Sequence, residues 1–552
     1  MSQPEAYDQL VTVTRDEMVT VFQNERKKLT KVIEKKRWTE TDYVIWSPSG
    51  KYLGTVHQKG VALWGSEDFK QIARFAHTNC KSLEFSPCER FIVTFRRPQT
   101  AVEEPSSVIV WEIRDQSNRR QFKSDGYTEN SGFKWSHSGS YLARCLPDSS
   151  RITIYETTNF TLLDKRPIDV PHVREIEWNP AYDQLACWCS AAEATQVPAR
   201  ILIFGLPSKT ELRSVNVFGA MGCQLFWHPE GTYMAAKVEK YSKVKKDGNQ
   251  TKYTGLSQNL HVFWAKEKGI PVELVELKGP LNSLSWEPSG GNRFAVSIGE
   301  TDTEVLVYRV AKDKVETYVT LPMTQIRVRC NGVFYSPAGN VFVITAKDGS
   351  MEFYDSNEQV VMSSEAKQNK PSFYEWDPTG RYFLSTCQAQ KTAIENGVIV
   401  WSATGRKIVD MKRDGLTFAK WRPRPQSLLT AEQIADIRKN LKKYSKKFEE
   451  EDRKKLNKAS KELLDLRRQK MEEYTEWRKY LSEQREQLLQ EVDGLFFAIN
   501  CTVKLCYRLF LSDDVRRIAK LQVADRDQLL STGDYAEETV EVFDNQEEEL
   551  AQ

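Results

Sequence analysis

The chain has 552 residues, with 79 Lys+Arg against 76 Asp+Glu and a formal net charge of +3. With 40% apolar and 11% aromatic residues it can bury a sizeable core, which excludes a chain disordered throughout. The near balance of charge excludes a uniformly basic nucleic-acid binder and leaves room for local basic patches.

Residues 1–6 read as a flexible N-terminus with neither a basic n-region nor an apolar run, so no signal peptide is expected there. Two short strands follow, Gln9-Leu-Val-Thr-Val13 and Met18-Val-Thr-Val-Phe22, with no opening strand ahead of them. From Tyr43 onward one phrase recurs: an apolar strand ending in an aromatic, a small polar residue, Pro, two residues, and a second apolar strand. It begins at Trp46-Ser-Pro48-Ser-Gly50 and returns at Phe85, Trp135, Trp178, Trp227, Trp286, Tyr335, Trp376 and Trp421. The spacing averages about 47 residues, close to a propeller repeat. Ser, Asn or Asp first, Pro second and Gly fourth describe a type I β-turn, so the unit is strand, tight turn, strand.

A second phrase closes each unit with a short apolar strand ending in an aromatic: Trp64, Trp111, Tyr155, Phe204, Trp264, Tyr308, Tyr354 and Trp401. A WD-type repeat carries its Trp-Asp pair there. Only Tyr354-Asp355 keeps the Asp and the Gly-His pair is missing, so the repeats are degenerate. The last opening strand, Leu416-Thr-Phe-Ala-Lys-Trp421, has no partners after it. The two chain ends therefore share one blade, giving an all-β, nine-bladed WD40-like β-propeller over residues 7–427. The aromatics of both phrases read as packing between blades.

Within the ring, Lys237, Lys240, Lys243, Lys245, Lys246 and Lys252 cluster in a long segment that also holds Tyr241 and Tyr253. Read as a flexible loop between strands, it reaches phosphates without reading sequence, and Lys240, Lys243, Lys245, Lys246 and Lys252 are the candidate RNA or ribosome contacts. Arg422 and Arg424 add positive charge at the exit from the ring. Of the ten Cys, Cys187 and Cys189 flank Trp188 on one strand face and read as buried thiols in a reducing compartment.

Residues 430–492 have no Pro or Gly, and about half of them are charged. Thr430 and Gln433 can form a capping box. Ile434, Ile437, Leu441, Tyr444 and Phe448 repeat at helical spacing, and Leu456, Leu463, Leu466, Tyr474, Trp477 and Leu481 resume it more loosely. This predicts a long amphipathic helix or a helix pair whose narrow apolar stripe must dock. The segment about Leu441, Tyr444 and Phe448 can dock on the ring, whereas Tyr474, Trp477 and Leu481 favour a partner protein; all six, Leu441, Tyr444, Phe448, Tyr474, Trp477 and Leu481, are the candidate residues of a partner-subunit helix. Residues 493–531 read as partly helical; the apolar run from Leu495 to Leu511 is short for a membrane span and contains Lys504 and Arg508. Residues 532–552 are acidic, without Lys or Arg, and read as a disordered tail.

Chemistry is sparse. The six His form no metal-ligand spacing, and there is no Gly-x-Ser-x-Gly elbow and no Walker loop. No catalytic, cofactor or metal site is expected, and the reading is a soluble cytoplasmic binding platform.

Arg37-Trp-Thr-Glu-Thr41, Ile45-Trp-Ser-Pro-Ser-Gly50-Lys-Tyr-Leu53, Gly60-Val-Ala-Leu-Trp-Gly65, Trp376-Asp-Pro-Thr-Gly-Arg-Tyr382, Trp421-Arg-Pro-Arg-Pro425 and Leu441-Lys-Lys-Tyr-Ser-Lys446 together resemble the b subunit of eukaryotic translation initiation factor 3. The resemblance spans about Tyr7 to Leu489. It implies a nine-bladed propeller on the small ribosomal subunit and its rRNA, and a C-terminal helix, falling here on 431–489, that holds the g and i subunits. It also implies a non-catalytic scaffold that promotes recruitment of initiator tRNA and mRNA and supports scanning. The family carries an RNA-recognition-type domain ahead of the propeller that binds the a and j subunits. No such motif stands before Tyr7, so this reads as a fragment, an incomplete gene model or a shortened paralogue and leaves a and j contact open. A propeller resembling initiation factor 2A, carrying initiator tRNA alone, and a generic WD-propeller interaction platform are the alternatives.

Overall fold

The structure, a computed structural model, describes residues 8–440 apart from 26–27, 42, 97–103, 125–130, 146–149, 193–196, 248–249, 289–290, 390–394, 426 and 428, and beyond them 453, 464–484 and 486–487. The chain forms two compact units, Met1–Ser427 and Leu428–Gln552.

The recurring turn sets the repeat. In Trp46-Ser-Pro-Ser-Gly50 the Gly50 amide donates to the Ser47 carbonyl at 2.8 Å, and the Tyr52 amide donates to Ser47 Oγ at 2.9 Å. Asp377 does the same for Gly380 (3.0 Å) and, through Oδ1, for Tyr382 (2.6 Å). One short polar residue thus fixes the turn through its carbonyl and the first residue of the next strand through its side chain. Gly380 adopts φ +72°, and a Cβ there would meet Ser336 Oγ of the preceding blade at 2.3 Å. The glycine is required by both conformation and space.

Among the described residues these units build nine sheets, each a meander of four antiparallel strands; one carries an additional short strand. Blades 2 to 9 begin at Ile45, Ser82, Phe133, Val173, Ala220, Leu281, Cys330 and Phe373. Blade 1 is composite: Gln9–Thr14, Met18–Asn24 and Leu29–Lys36 come from the start of the chain, and Leu416–Trp421 comes from the end of the ring. Leu10 lies opposite Trp421 and Thr12 opposite Ala419. Consecutive first strands touch, as where the Val333 and Tyr335 amides donate to Ser283 Oγ and Ser285 Oγ at 3.1 and 3.0 Å. The first strand of each blade therefore lies nearest the axis.

The core is partitioned between blades. Leu384, Val398 and Val400 of blade 9 pack on Leu10, Leu416 and Trp421 of blade 1, whose other face packs Val11, Val13, Val19 and Val21 on Trp46 and Leu53 of blade 2. The ring is closed. Each sheet buries both faces, which is why Gln9–Thr14 is buried along its whole length. The aromatics of the turn phrase form the blade-to-blade contact. Tyr141 stacks on Trp178, Tyr233 on Trp286 and Tyr382 on Trp421, with centroids 6.1–6.3 Å apart. Such stacks add roughly 0.5–1.5 kcal/mol each beyond the area they bury. In the Trp-x-Pro-x-Gly-x-Tyr phrase, the Tyr of one blade meets the Trp of the next.

Polar locks reinforce the ring. Arg422, 3% exposed, donates from Nε to Gly50 O (2.8 Å), from Nη1 to Gln9 Oε1 (3.0 Å) and from Nη2 to Ser66 Oγ (2.5 Å). It ties the first strand, the last strand and blade 2 together. Arg424 pairs with Asp8, and Arg381 joins the same carboxylate at 3.0 Å. Arg422 and Arg424 are thus structural groups rather than the added RNA-facing charge suggested by their place in the sequence.

In the second unit, helix Ala431–Lys439 opens with the expected capping box: the Gln433 amide donates to Thr430 Oγ1 at 3.3 Å, and the Thr430 amide to Gln433 Oε1 at 2.9 Å. A second helix covers 464–484.

Candidate nucleic-acid interface

The basic segment of blade 6 is not a loop. Strands Tyr233–Asp247 and Gln250–Trp264 form a regular antiparallel hairpin, in register from Tyr233 opposite Trp264 to Asp247 opposite Gln250. Polarity hides the strands in the sequence: Thr, Tyr, Val and Lys alternate at strand period, and a two-stranded ribbon that runs beyond its sheet carries no apolar stripe to reveal it.

The hairpin outgrows its sheet. The inner strand Ala220–Trp227 pairs along it only as far as Lys240, and the outer strand Val272–Glu276 only back to Asn259. Residues 241–247 pair with 250–256 alone, so the ribbon extends about 23 Å past the blade at ~3.3 Å per residue. Register sorts the lysines by face. Backbone register puts positions 243, 245 and 252 in phase with Tyr241 and Leu256, and positions 246 and 253 in phase with Lys240. Lys245 and Lys252 are direct cross-strand partners. Two like charges in that position repel unless an anion lies between them. Lys237, at the base, is neutralised by Glu239 at 3.1 Å.

An apolar foot, missed in the sequence, surrounds the point where the ribbon leaves the blade. Phe218 is 73% exposed and Met221 50% exposed, with Leu256 also exposed. A bulge between Ala220 and Gly222 leaves Met221 unpaired against the hairpin strand and turns it outward. The only hint in the sequence is Phe218-Gly219, a bulky aromatic beside a turn glycine, which resembles any other strand end.

In the second unit Tyr474, Trp477 and Leu481 lie on helix 464–484 and are 50%, 55% and 44% exposed. The Tyr474 and Trp477 rings are 6.0 Å apart. Leu441, Tyr444 and Phe448 fall outside the described residues, as do Lys442, Lys443, Lys446 and Lys447.

The buried histidines serve the ring. His77 meets Thr94 Oγ1 at 2.7 Å, and Trp111 Nε1 donates to the same hydroxyl at 2.9 Å. The two bonds tie the segment ahead of blade 3 to its second and third strands. Burial depresses the His77 imidazole to about 4 and that of His261 also to about 4, so both are neutral near pH 7. Cys187 and Cys189 are buried free thiols, and Cys187 is pushed up by its hydrogen bond to Cys189 and by burial. Among the described residues no group of three His, Cys, Asp or Glu side chains could hold a metal ion, and no helix is long and apolar enough to cross a membrane.

The family model described as Eukaryotic translation initiation factor eIF2A matches residues 10–115 and 215–438. The b subunit of eukaryotic translation initiation factor 3 from Xenopus laevis is 35% identical over 99% of this chain and 74% of its own length. The chain belongs to the b-subunit family of eukaryotic translation initiation factor 3. Its relative from Bombyx mori is 37% identical over 86% of this chain and 68% of its own length. A solved structure titled as a crystal structure of the eukaryotic initiation factor superimposes over 76% of this chain and all of that one, with a TM-score of 0.62 at 16% identity. That likeness concerns the fold. The Xenopus laevis relative extends across nearly the whole chain, including the charged region beyond residue 438, where the match to the eIF2A family model ends.

Proposed function

We propose that this chain is a non-catalytic scaffold subunit of the translation initiation factor 3 complex in the cytoplasm. It binds the small ribosomal subunit and its rRNA, promotes recruitment of initiator tRNA and mRNA, and supports scanning. The blade 6 hairpin carries the ribosome contact, and the helix bearing Tyr474, Trp477 and Leu481 holds the g and i subunits. The observation behind this reading is the ribbon itself: about 23 Å of strand pair that stabilises no blade, studded with lysines at register positions that favour a chain of anions.

Binding of the full chain to small ribosomal subunits, measured across a salt series, tests it. Replacing Lys243, Lys245 and Lys252 with Gln reduces the salt slope by about 0.7–1 per lost phosphate contact. An unchanged slope removes the hairpin from the interface. Trp477→Ala abolishes co-purification of the g and i subunits while leaving ribosome binding intact; undiminished recovery of both refutes the helix assignment. A second reading, a propeller that carries initiator tRNA alone, draws on the name of the matching family model. It predicts a stable tRNA complex without other subunits.

A further inference from the structure

The ribbon and the apolar foot belong to one surface. In an antiparallel meander, the connection into the first strand and the connection between the second and third strands emerge on the same face of the ring. In blade 6 these are Phe218-Gly219 and the projecting hairpin. Ala220 lies opposite Lys240, the last hairpin residue paired to the inner strand. Phe218, two residues earlier, therefore has its Cα within about 13 Å of the Lys240 Cα. Its ring stands 73% exposed at the root of the lysine ribbon.

An exposed aromatic next to a row of cations has a specific chemical complement. Phosphates alone are served by lysines and gain nothing from Phe218. A duplex keeps its base faces stacked inside and offers none to a side chain. An unpaired strand offers both, a negative backbone along the ribbon and a base face at the foot. Met221 and Leu256 widen the platform. We infer that Phe218 is a base-stacking platform, and that the hairpin surface takes single-stranded RNA rather than duplex. This rests on the hairpin being the RNA contact, and the test separates the two ideas.

The full chain is titrated by fluorescence anisotropy against a short CA-repeat RNA without secondary structure and against an RNA duplex of equal length. Phe218→Ala weakens the single strand roughly five- to a hundredfold, the range for loss of one base–aromatic stack. The salt slope stays at the parent value, because no phosphate contact is lost. Phe218→Tyr, which keeps the ring, restores binding, and duplex binding is the same in all three proteins. The exposed position makes Phe218→Ala a mild change for folding, and an unaltered melting temperature verifies this. Parent-like affinity of Phe218→Ala for the single strand overturns the stacking platform, as does equal weakening for strand and duplex. The hairpin reading survives either result if Lys245→Gln with Lys252→Gln still lowers the salt slope. If those variants also bind as the parent does, both ideas fail together.

Discussion

Replacing Arg422 with Met tests whether the ring is held by its two chain ends. Met keeps most of the side-chain length in the buried site and removes the guanidinium. Three acceptors then lose their donors: Gly50 O, Gln9 Oε1 and Ser66 Oγ, at 2.8, 3.0 and 2.5 Å in the parent. Hydrogen bonds from a charged donor contribute about 1.5–3 kcal/mol each, but Gln9 and Ser66 can turn toward other partners. A net loss of about 3 kcal/mol is expected. It falls on the junction between Gln9–Thr14 and Leu416–Trp421, since Arg422 reaches both sides of it. Opening of that strand pair therefore becomes roughly a hundredfold more frequent. Native-state hydrogen exchange with mass spectrometry reads this directly. Peptides covering 9–14 and 416–421 exchange about a hundredfold faster in the variant, while the blade 5 strand Ala199–Gly205 is unchanged. A uniform acceleration around the ring would refute the reasoning, and so would parent-like exchange at the junction.

Two further outcomes follow from buried charge. Glu375, on the first strand of blade 9, accepts from the Trp421 amide at 3.0 Å, and burial raises its carboxyl to about 7. Its folded pKa lies above the unfolded value, so the folded state holds the extra proton between about pH 4.5 and 7 and loses stability as pH rises through that window. Glu375→Gln, which keeps an acceptor, gains stability relative to the parent between about pH 5 and pH 8 in paired thermal melts; parallel curves would contradict this. Arg293 and Glu287, side chains 6% and 0% exposed, pair at 2.7 and 2.8 Å, and Arg293 also reaches Ser356 O of blade 8. Arg293→Met costs roughly 3–5 kcal/mol by stranding a buried carboxylate, and adding Glu287→Leu recovers much of it; a double variant as unstable as the single one, by denaturant unfolding, would contradict this.

The fold was legible because the turn phrase does three jobs with few residue types. Ser47 or Asp377 holds the turn, Gly380 fits where a Cβ would not, and Tyr382 stacks on Trp421. Each requirement leaves a mark at fixed spacing, so nine copies outweigh the missing Trp-Asp pairs. The two strands near the N-terminus without an opener found it in Leu416–Trp421. The candidate interface was half legible. Composition revealed the lysines, but a ribbon that leaves its sheet lacks the apolar alternation that marks a strand, so the hairpin read as a loop. Phe218 was invisible because exposure depends on what the fold leaves uncovered, and residue type alone does not carry that. Arg422 erred the other way: its charge suggested a surface, and the closing of the ring buried it.

The most direct test places a photoreactive benzophenone side chain at position 250, near the end of the ribbon, in the full chain bound to purified small ribosomal subunits. The account predicts cross-links to RNA that disappear when the probe is moved to position 183, on the turn between the first two strands of blade 5. Efficient sedimentation with the subunits and no RNA adduct from position 250 would contradict it.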